Sequence, residues 1–455
     1  MQILIIKIKK VNMKYISKMS KISFLLAISA MMILSACNKD LEQFPEPAPT
    51  PYPTGNALGK VLASNPDDSL YLALVRRAGL LSTINNDTAT FTMYVPDNNA
   101  MRAFVGAVTG GAIPPGTPDP IVSDFLTNTF PADQAYAVVG YNIVPQLLTL
   151  SNVTADFPNL QYPSIVNPAP TLSDLLRLTT FPSTRNGAWV NNVPITDAAG
   201  TAATNGMVYN TLALVAPPQR FLWDRINTDA NLTYLKAAIL RADSGIVPGP
   251  PDGVPTTLQG ACESIGANLT ILAPTDAAFQ TALTGAIYQA LLPIVTQQLT
   301  AYYISLGMTP ADAAAQAAID APGYTLTQAT TLASSPNVFS NSQLYPYLTA
   351  QTVQGIVSYH ILGSRAFTNN FPTDVTLYPT LLNQGLPTHP GVALQATFSV
   401  PFVSSATVKG LYNSTPANII LNTQPLTPDP YGTSDQHFVN GTLHEIDQVL
   451  IPLPL

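Results

Sequence analysis

Three segments of this chain occur twice, in the same order, and that repeat constrains the fold more than any other feature. The first pair is Phe91-Thr-Met-Tyr-Val-Pro-Asp-Asn-Asn-Ala-Met101 and Leu269-Thr-Ile-Leu-Ala-Pro-Thr-Asp-Ala-Ala-Phe279. The second is Val139-Gly-Tyr-Asn-Ile-Val144 and Val357-Ser-Tyr-His-Ile-Leu362. The third is Thr204-Asn-Gly-Met-Val-Tyr-Asn-Thr-Leu-Ala-Leu214 and Val439-Asn-Gly-Thr-Leu-His-Glu-Ile-Asp-Gln-Val449. In the first pair an apolar strand is stopped by Pro96 or Pro274, since proline has no amide for the ladder. Asp97 or Asn98, and Thr275 or Asp276, can then cap a helix that carries Met101 or Phe279 in its first turns. The third pair centres on Asn-Gly between apolar stretches, a strong β-hairpin signal. Each copy closes on proline, at Pro217-Pro218 and Pro452.

The copies are unequal. From Pro96 to Tyr141 is 45 positions and from Pro274 to Tyr359 is 85, a gain of 40 in the second copy. From the tyrosine to Asn-Gly the second copy gains a further 17. The larger gain holds Pro310-Ala-Asp-Ala-Ala-Ala-Gln-Ala-Ala-Ile319, strong helix formers behind a proline suited to a first turn. Ile287, Leu291, Ile294, Val295, Leu299 and Tyr302 keep a helical period across Pro293. The chain thus reads as domains 55–218 and 219–455, the second carrying a small helical cap at about 285–338.

These blocks are similar to those of the fasciclin domain. Pro274, Thr275, Asp276 and Phe279 match its first signature, and Tyr359 and His360 its Tyr-His motif. Asn440, Gly441, His444 and Asp447 match its closing strand. The resemblance implies an α+β fold in two fasciclin-like domains, each a β-sheet wedge or sandwich packed with helices, the second with a helical insertion. It also implies that these residues are structural. In the first copy Asn142, Tyr209 and Leu212 replace the two histidines and the aspartate, so that copy reads as degenerate.

Ahead of the repeats stands a processing signal. Lys14, Lys18 and Lys21 precede an apolar run, Phe24 to Leu34, about half the length a membrane span needs. Leu34-Ser35-Ala36-Cys37 then resembles the lipobox of bacterial lipoproteins. The expectation is a signal peptide over 1–36, with Met13 as the natural start, and Cys37 acylated as the first mature residue. Residues 37–54 read as a linker in which Pro45, Pro47, Pro49, Pro51 and Pro53 alternate, favouring an extended spacer. Its opening, Asn38-Lys39-Asp40-Leu41-Glu42, looks like the segment behind the lipidated cysteine in Bacteroidota lipoproteins of the outer face of the outer membrane. A periplasm-facing orientation is the alternative.

Composition narrows the function. Of 19 Lys+Arg, six lie ahead of Cys37, leaving 13 against 26 Asp+Glu, which excludes a phosphate-binding basic face and hence a nucleic-acid partner. Only Cys262 remains as a thiol after processing; it is expected to pack as a small apolar residue. His444-Glu445 lacks a second histidine at Gln448, so no zinc-protease face forms. Gly55 to Lys60 is one residue short of a phosphate loop. Asp67-Asp68 reads as a solvated turn. No catalytic constellation, cofactor or metal site emerges, and His360 and His444 are expected to be hydrogen-bonded core residues. If neutral, they should make mild acid destabilising; pairing with Asp447 would reverse that sign. The functional expectation is a non-enzymatic, lipid-anchored envelope protein for adhesion or surface binding to a matrix protein, glycan or envelope protein. The alternative is a polysaccharide- or polymer-binding component, with Tyr302, Tyr303, Tyr324, Tyr345 and Tyr347 as candidate platforms.

Overall fold

The repeat is a repeat of strand topology. The computed structural model describes residues 55–249, 254–424 and 426–453; the signal segment, Cys37 and the proline-rich linker lie outside the described residues. In the first copy the strand order is Ile143–Val144, Phe91–Pro96, Gly206–Thr211, Thr201–Ala203. In the second it is Ile361–Leu362, Leu269–Pro274, Gly441–Ile446, Gln436–Phe438. In both, the signature strand runs parallel to the closing strand and antiparallel to the short strand behind the second motif. Register matches too: Phe91 faces Gly206 and Leu269 faces Gly441. The fold is α+β, as the motifs imply.

Each signature strand is buried along its whole length and sends alternate side chains to opposite faces. Ile271 and Ala273 join a cluster built from helices, whereas Leu272 joins one built from strands. Met93 and Val95 divide from Tyr94 in the same way. Thus each copy is a sheet with helices on one face and irregular or stranded structure on the other. In the second copy that other face carries an antiparallel sheet of Thr376–Tyr378, Val392–Ser399, Phe402–Lys409 and Ala417–Asn418. The first copy has only short pairings there, such as Pro182–Ser183 with Trp189–Val190 and Val193–Pro194.

The Asn-Gly pair makes the expected hairpin for a different reason. The two turn residues are Thr204-Asn205 and Val439-Asn440, and each glycine is the first residue of the strand. Neither asparagine is left-handed. Instead Asn205 accepts from Leu58 N (2.9 Å) and donates to Ile84 O (2.8 Å) and Asn86 O (2.9 Å). Asn440 accepts from Leu222 N (3.0 Å) and donates to Cys262 O (2.8 Å). Each therefore fastens the opening helix of its copy, Leu58–Ser64 or Leu222–Thr228, to the sheet. The glycines permit close strand approach: a Cβ on Gly206 would lie 2.0 Å from Phe91 O, and one on Gly441 2.5 Å from Leu269 O.

Residues 53–455 form one compact unit, and the two copies share buried contacts. Phe157 packs on Phe371 and Tyr378, with ring centroids 5.5 and 4.3 Å apart. Asn370 donates to Asn159 Oδ1 (2.9 Å) and Asp156 O (3.0 Å), and accepts from Ser183 Oγ (2.8 Å).

The inserted residues differ from the expected small cap. The helix after Thr275 runs over Asp276–Ser305, 30 residues, where its first-copy counterpart Asn98–Val108 has 11. A second helix, Pro310–Ala333, returns antiparallel, opened by a Thr309 cap and Pro310 at its first position. The insertion is thus a lengthened signature helix with a partner. Ala313, Ala317, Ala321, Thr325, Ala329 and Ala333 form its buried seam at every fourth position. Such small residues allow close helix approach. Phe279, Leu283, Ile287, Ala329 and Ala333 belong to the domain core, whereas Val295, Ala313, Ala317 and Ala321 are buried outside it, farther along the pair.

Candidate functional site

The signature residues are scaffold. Pro274 ends its strand, and the Thr275 hydroxyl caps the long helix at Ala278 N (3.3 Å). Asp276 reaches back to cap the helix Thr233–Ala242, accepting from Tyr234 N (3.0 Å) and Thr233 Oγ1 (2.5 Å). Phe279 stacks on Tyr234 at 6.1 Å. Tyr359 donates its hydroxyl to Gly391 O (2.6 Å) and accepts from Leu411 N (2.9 Å).

Both motif histidines are buried and fully bonded. His360 donates through Nδ1 to Ile356 O (2.8 Å) and accepts at Nε2 from Leu450 N (2.8 Å). Burial pushes its pKa down to about 4. His444 accepts at Nδ1 from Asp435 N (3.1 Å) and donates through Nε2 to Ala366 O (3.1 Å). Its pKa is lowered by burial, against opposing pulls from Asp435 and the Ala366 carbonyl. Neither imidazole has a nitrogen left for a substrate, as a general base requires. Asp447 does not pair with them: both its oxygens accept from Asn418, at 2.7 Å each. The carboxylate nearest His444 is Asp435, 3.8 Å away.

The first copy keeps these ties with other side chains. Asn142 donates to Val138 O and Val215 O, both at 2.9 Å, so it repeats the bond from the capping position to the carbonyl four residues back. Tyr209, in register with His444, donates to Leu148 O (3.3 Å) and accepts from Leu150 N (3.1 Å). Tyr209 thus keeps one donated and one accepted bond as His444 does, whereas Asn142 repeats the His360 bond to the helix but donates to Val215 O where His360 accepts from Leu450 N. Leu212, where the second copy has Asp447, is exposed. Asp68 departs from the solvated reading. It is buried and accepts from Asn210 Nδ2 (2.9 Å), and burial raises its pKa. Cys262 lies in the core, its thiol pushed up to about 12 by burial.

Two polar centres escaped the sequence reading. Arg225 is buried and meets Asp229 (2.7 Å), Asp429 (3.3 Å) and Glu445 (3.0 Å). Arg365 is buried and has no carboxylate partner among the described residues. It donates to Asn268 Oδ1 (3.0 Å), His437 Nε2 (2.7 Å) and Val439 O (3.1 Å), and lies 4.8 Å from the ring centre of Phe181 in the other copy. Burial brings its pKa down to about 10, and burial together with Arg365 holds His437 well below its usual value. A signal was present: Arg365 is the single cation between Arg241 and Lys409.

The helical pair keeps several large apolar side chains exposed. Tyr302 is 55% exposed, Leu306 62%, Ile319 71% and Tyr324 58%, with Ile304 and Leu326 also open. Over this insert, 285–338, the only ionisable acids or bases besides tyrosine are Asp312 and Asp320. Asp320 accepts from Tyr303 Oη (2.6 Å) and Gln316 Nε2 (2.8 Å). That bond, ahead of smaller effects that include Tyr324 and Tyr302, pushes the Tyr303 phenol up to about 12. Tyr302, Tyr303 and Tyr324 thus share one region of the pair. Tyr345 lies elsewhere, 3.9 Å from the Arg241 guanidinium, and Tyr347 is exposed nearby in sequence. By length and composition alone, Asp276–Ser305 could also cross a membrane, but its first turns belong to the core. Among the described residues no cluster of His, Cys, Asp or Glu could hold a metal ion.

Residues 67–211 match the family model described as the fasciclin domain, so that segment is a fasciclin domain. The second copy repeats its strand order, polarity and register. No curated protein matches the chain. Among solved structures the chain is similar to a FAS1 domain pair from the insect cell adhesion molecule fasciclin I. Identity is 11%, coverage is 84% of this chain and 96% of that one, and the TM-score is 0.27.

Proposed function

We propose that this is a non-enzymatic, lipid-anchored envelope protein that mediates adhesion or surface binding. Cys37 is the anchor, residues 37–54 the spacer, and the helical pair Asp276–Ser305 and Pro310–Ala333 the contact face. The observation that carries the reading is the exposed apolar surface at Tyr302, Leu306, Ile319 and Tyr324 on a nearly uncharged extension. Monomeric proteins seldom leave contiguous apolar surface open unless something binds there. The motif residues support it from the other side, since their histidines are engaged in the core. Protease added to intact cells should cut the protein, and deleting its gene should weaken attachment to matrix-coated or abiotic surfaces. A protein protected from external protease, or unchanged attachment across several surfaces, would contradict the reading.

A second reading, capture of a polysaccharide, draws on Tyr302 and Tyr324, since exposed aromatic rings are the usual platforms for sugar faces. A glycan array probed with the whole mature chain, with and without the distal turns of the helical pair, separates the two.

A further inference from the structure

The helical pair ends in an apolar turn. Leu291 is the farthest residue along the first helix that packs on the domain core, so at 1.5 Å per residue the turn at Leu306 lies about 22 Å farther along the helix. Tyr302, Ile304 and Leu306 are exposed there, and Tyr303 and Met308 are half-buried. From Ala277 to Ala311 the chain has no Asp, Glu, Lys, Arg or His. The turn also meets its own polar needs. Leu306, Gly307 and Met308 donate their amides to Tyr302 O (3.2 Å), Ile304 O (2.9 Å) and Tyr303 O (3.2 Å). Ser305 Oγ donates to Tyr302 O (2.6 Å), and Thr309 Oγ1 donates to the Asp312 carboxylate (2.6 Å) while accepting from Asp312 N (3.2 Å). Pro310 has no amide to satisfy, and the Tyr303 hydroxyl is given to Asp320 (2.6 Å). A protein partner is normally met by a polar rim around an apolar centre. Lipid favours the opposite, apolar side chains over a backbone bonded to itself, and that is what this turn presents.

We propose that this turn enters the interfacial layer of a lipid bilayer, carrying Ile304, Leu306 and Met308 below the headgroups with Tyr302 at headgroup level. No lysine or arginine is present to seek lipid phosphates, so the attraction is burial of apolar area rather than charge. Asp312, exposed in the first turn of the second helix, keeps the entry shallow. The pair does not cross: the helix beyond Leu291 is shorter than the roughly 20 residues a crossing needs. The proposal rests on the adhesion reading in one respect. There the pair is the outward contact face, so the bilayer is that of an apposed cell or vesicle. One turn binds weakly, but many copies on one surface hold two membranes together.

Flotation of the whole mature chain, made with Cys37→Ser so that no acyl chain contributes, with phosphatidylcholine vesicles tests it. The protein should float with the vesicles equally at low and high salt, since no charge pair is screened. Leu306→Asp should weaken partitioning about tenfold or more, the loss expected when a buried leucine is replaced by a charge. Ile319→Asp should change it by less than about twofold, because Ile319 lies nine residues past Pro310, about 14 Å back from the turn. Should Leu306→Asp not fold, Leu306→Ser takes its place, with a loss of about fivefold. Vesicles carrying the acylated chain should also cluster bare vesicles, as read by light scattering. No flotation, or equal losses in the Leu306 and Ile319 variants, overturns the proposal. So does a dimer in solution that Leu306→Asp abolishes, which would give the turn to a second copy. Flotation without clustering overturns the apposed bilayer by placing the turn in the bearer's own membrane. If cells bearing Leu306→Asp lose attachment while the wild-type chain ignores vesicles, the adhesion reading stands and lipid is not its partner.

Discussion

Arg225→Met should destabilise the protein by about 3–5 kcal/mol, the range for removing one member of a buried ion cluster. Arg225 is the cation for Asp229 and Glu445 and shares Asp429 with Arg220, and its Nη1 and Nη2 also hold the carbonyls of Pro430 and Gly432. Methionine fills much of the volume but leaves Glu445, itself buried, without its counter-charge. Burial already raises the Glu445 and Asp429 pKa values, with Arg225 pulling both down. Without Arg225 both should rise further, so the loss should shrink as pH falls into the carboxylate range and the acids neutralise. Urea unfolding at pH 7 and pH 5 measures both effects. A double variant, Arg225→Met with Glu445→Leu, should regain a large part of the loss, because it removes the orphaned charge. A cost for Arg225→Met below about 1 kcal/mol would place this cluster among weak surface pairs instead.

His360 makes the protein acid-sensitive. Its folded pKa of about 4 lies below the unfolded value of 6.5, so the folded state binds fewer protons and acid favours unfolding. The stabilisation is intact above pH 6.5 and is lost as pH falls toward 4. From pH 7 to pH 5 this one group should remove roughly 2 kcal/mol. His444 and His437 are depressed as well and act in the same direction. His360→Asn, which copies the first copy's Asn142, should flatten the pH dependence by about the His360 share while keeping the bond to Ile356 O. Denaturant melts of the whole chain at both pH values measure it. The shared buried junction makes the whole chain the right sample, where the sequence had suggested separable domains. An unchanged pH slope in His360→Asn would refute the neutral, buried histidine.

Much of this fold was legible because its signals are local. Pro96 and Pro274 stop strands, Asp97 and Thr275 cap helices, and Pro310 opens one; each acts through a few neighbouring backbone groups. What the sequence concealed depends on partners far away in the chain. Asn205 and Asn440 look like turn formers, but their side chains bind helices more than 100 residues away. Asp68 looked solvated because its partner, Asn210, arrives from the closing strand. Tyr209 and Asn142 looked like losses because residue identity changed while the hydrogen bond stayed. The helical pair was visible as helix, but not its length, since alanine, threonine and glutamine dilute the apolar period. The binding surface was half legible: its tyrosines could be named, but only the fold separates Tyr302, Tyr303 and Tyr324 from Tyr345 and Tyr347.

The central claim is that a buried, inert double scaffold presents the helical pair for contact. A variant carrying Tyr302→Ser, Leu306→Ser and Ile319→Ser tests it most directly, because all three side chains are exposed and outside the core. Attachment of cells bearing this variant should fall to the level of cells lacking the protein, with its melting temperature and surface abundance unchanged. Wild-type attachment by cells displaying the folded variant would contradict the account.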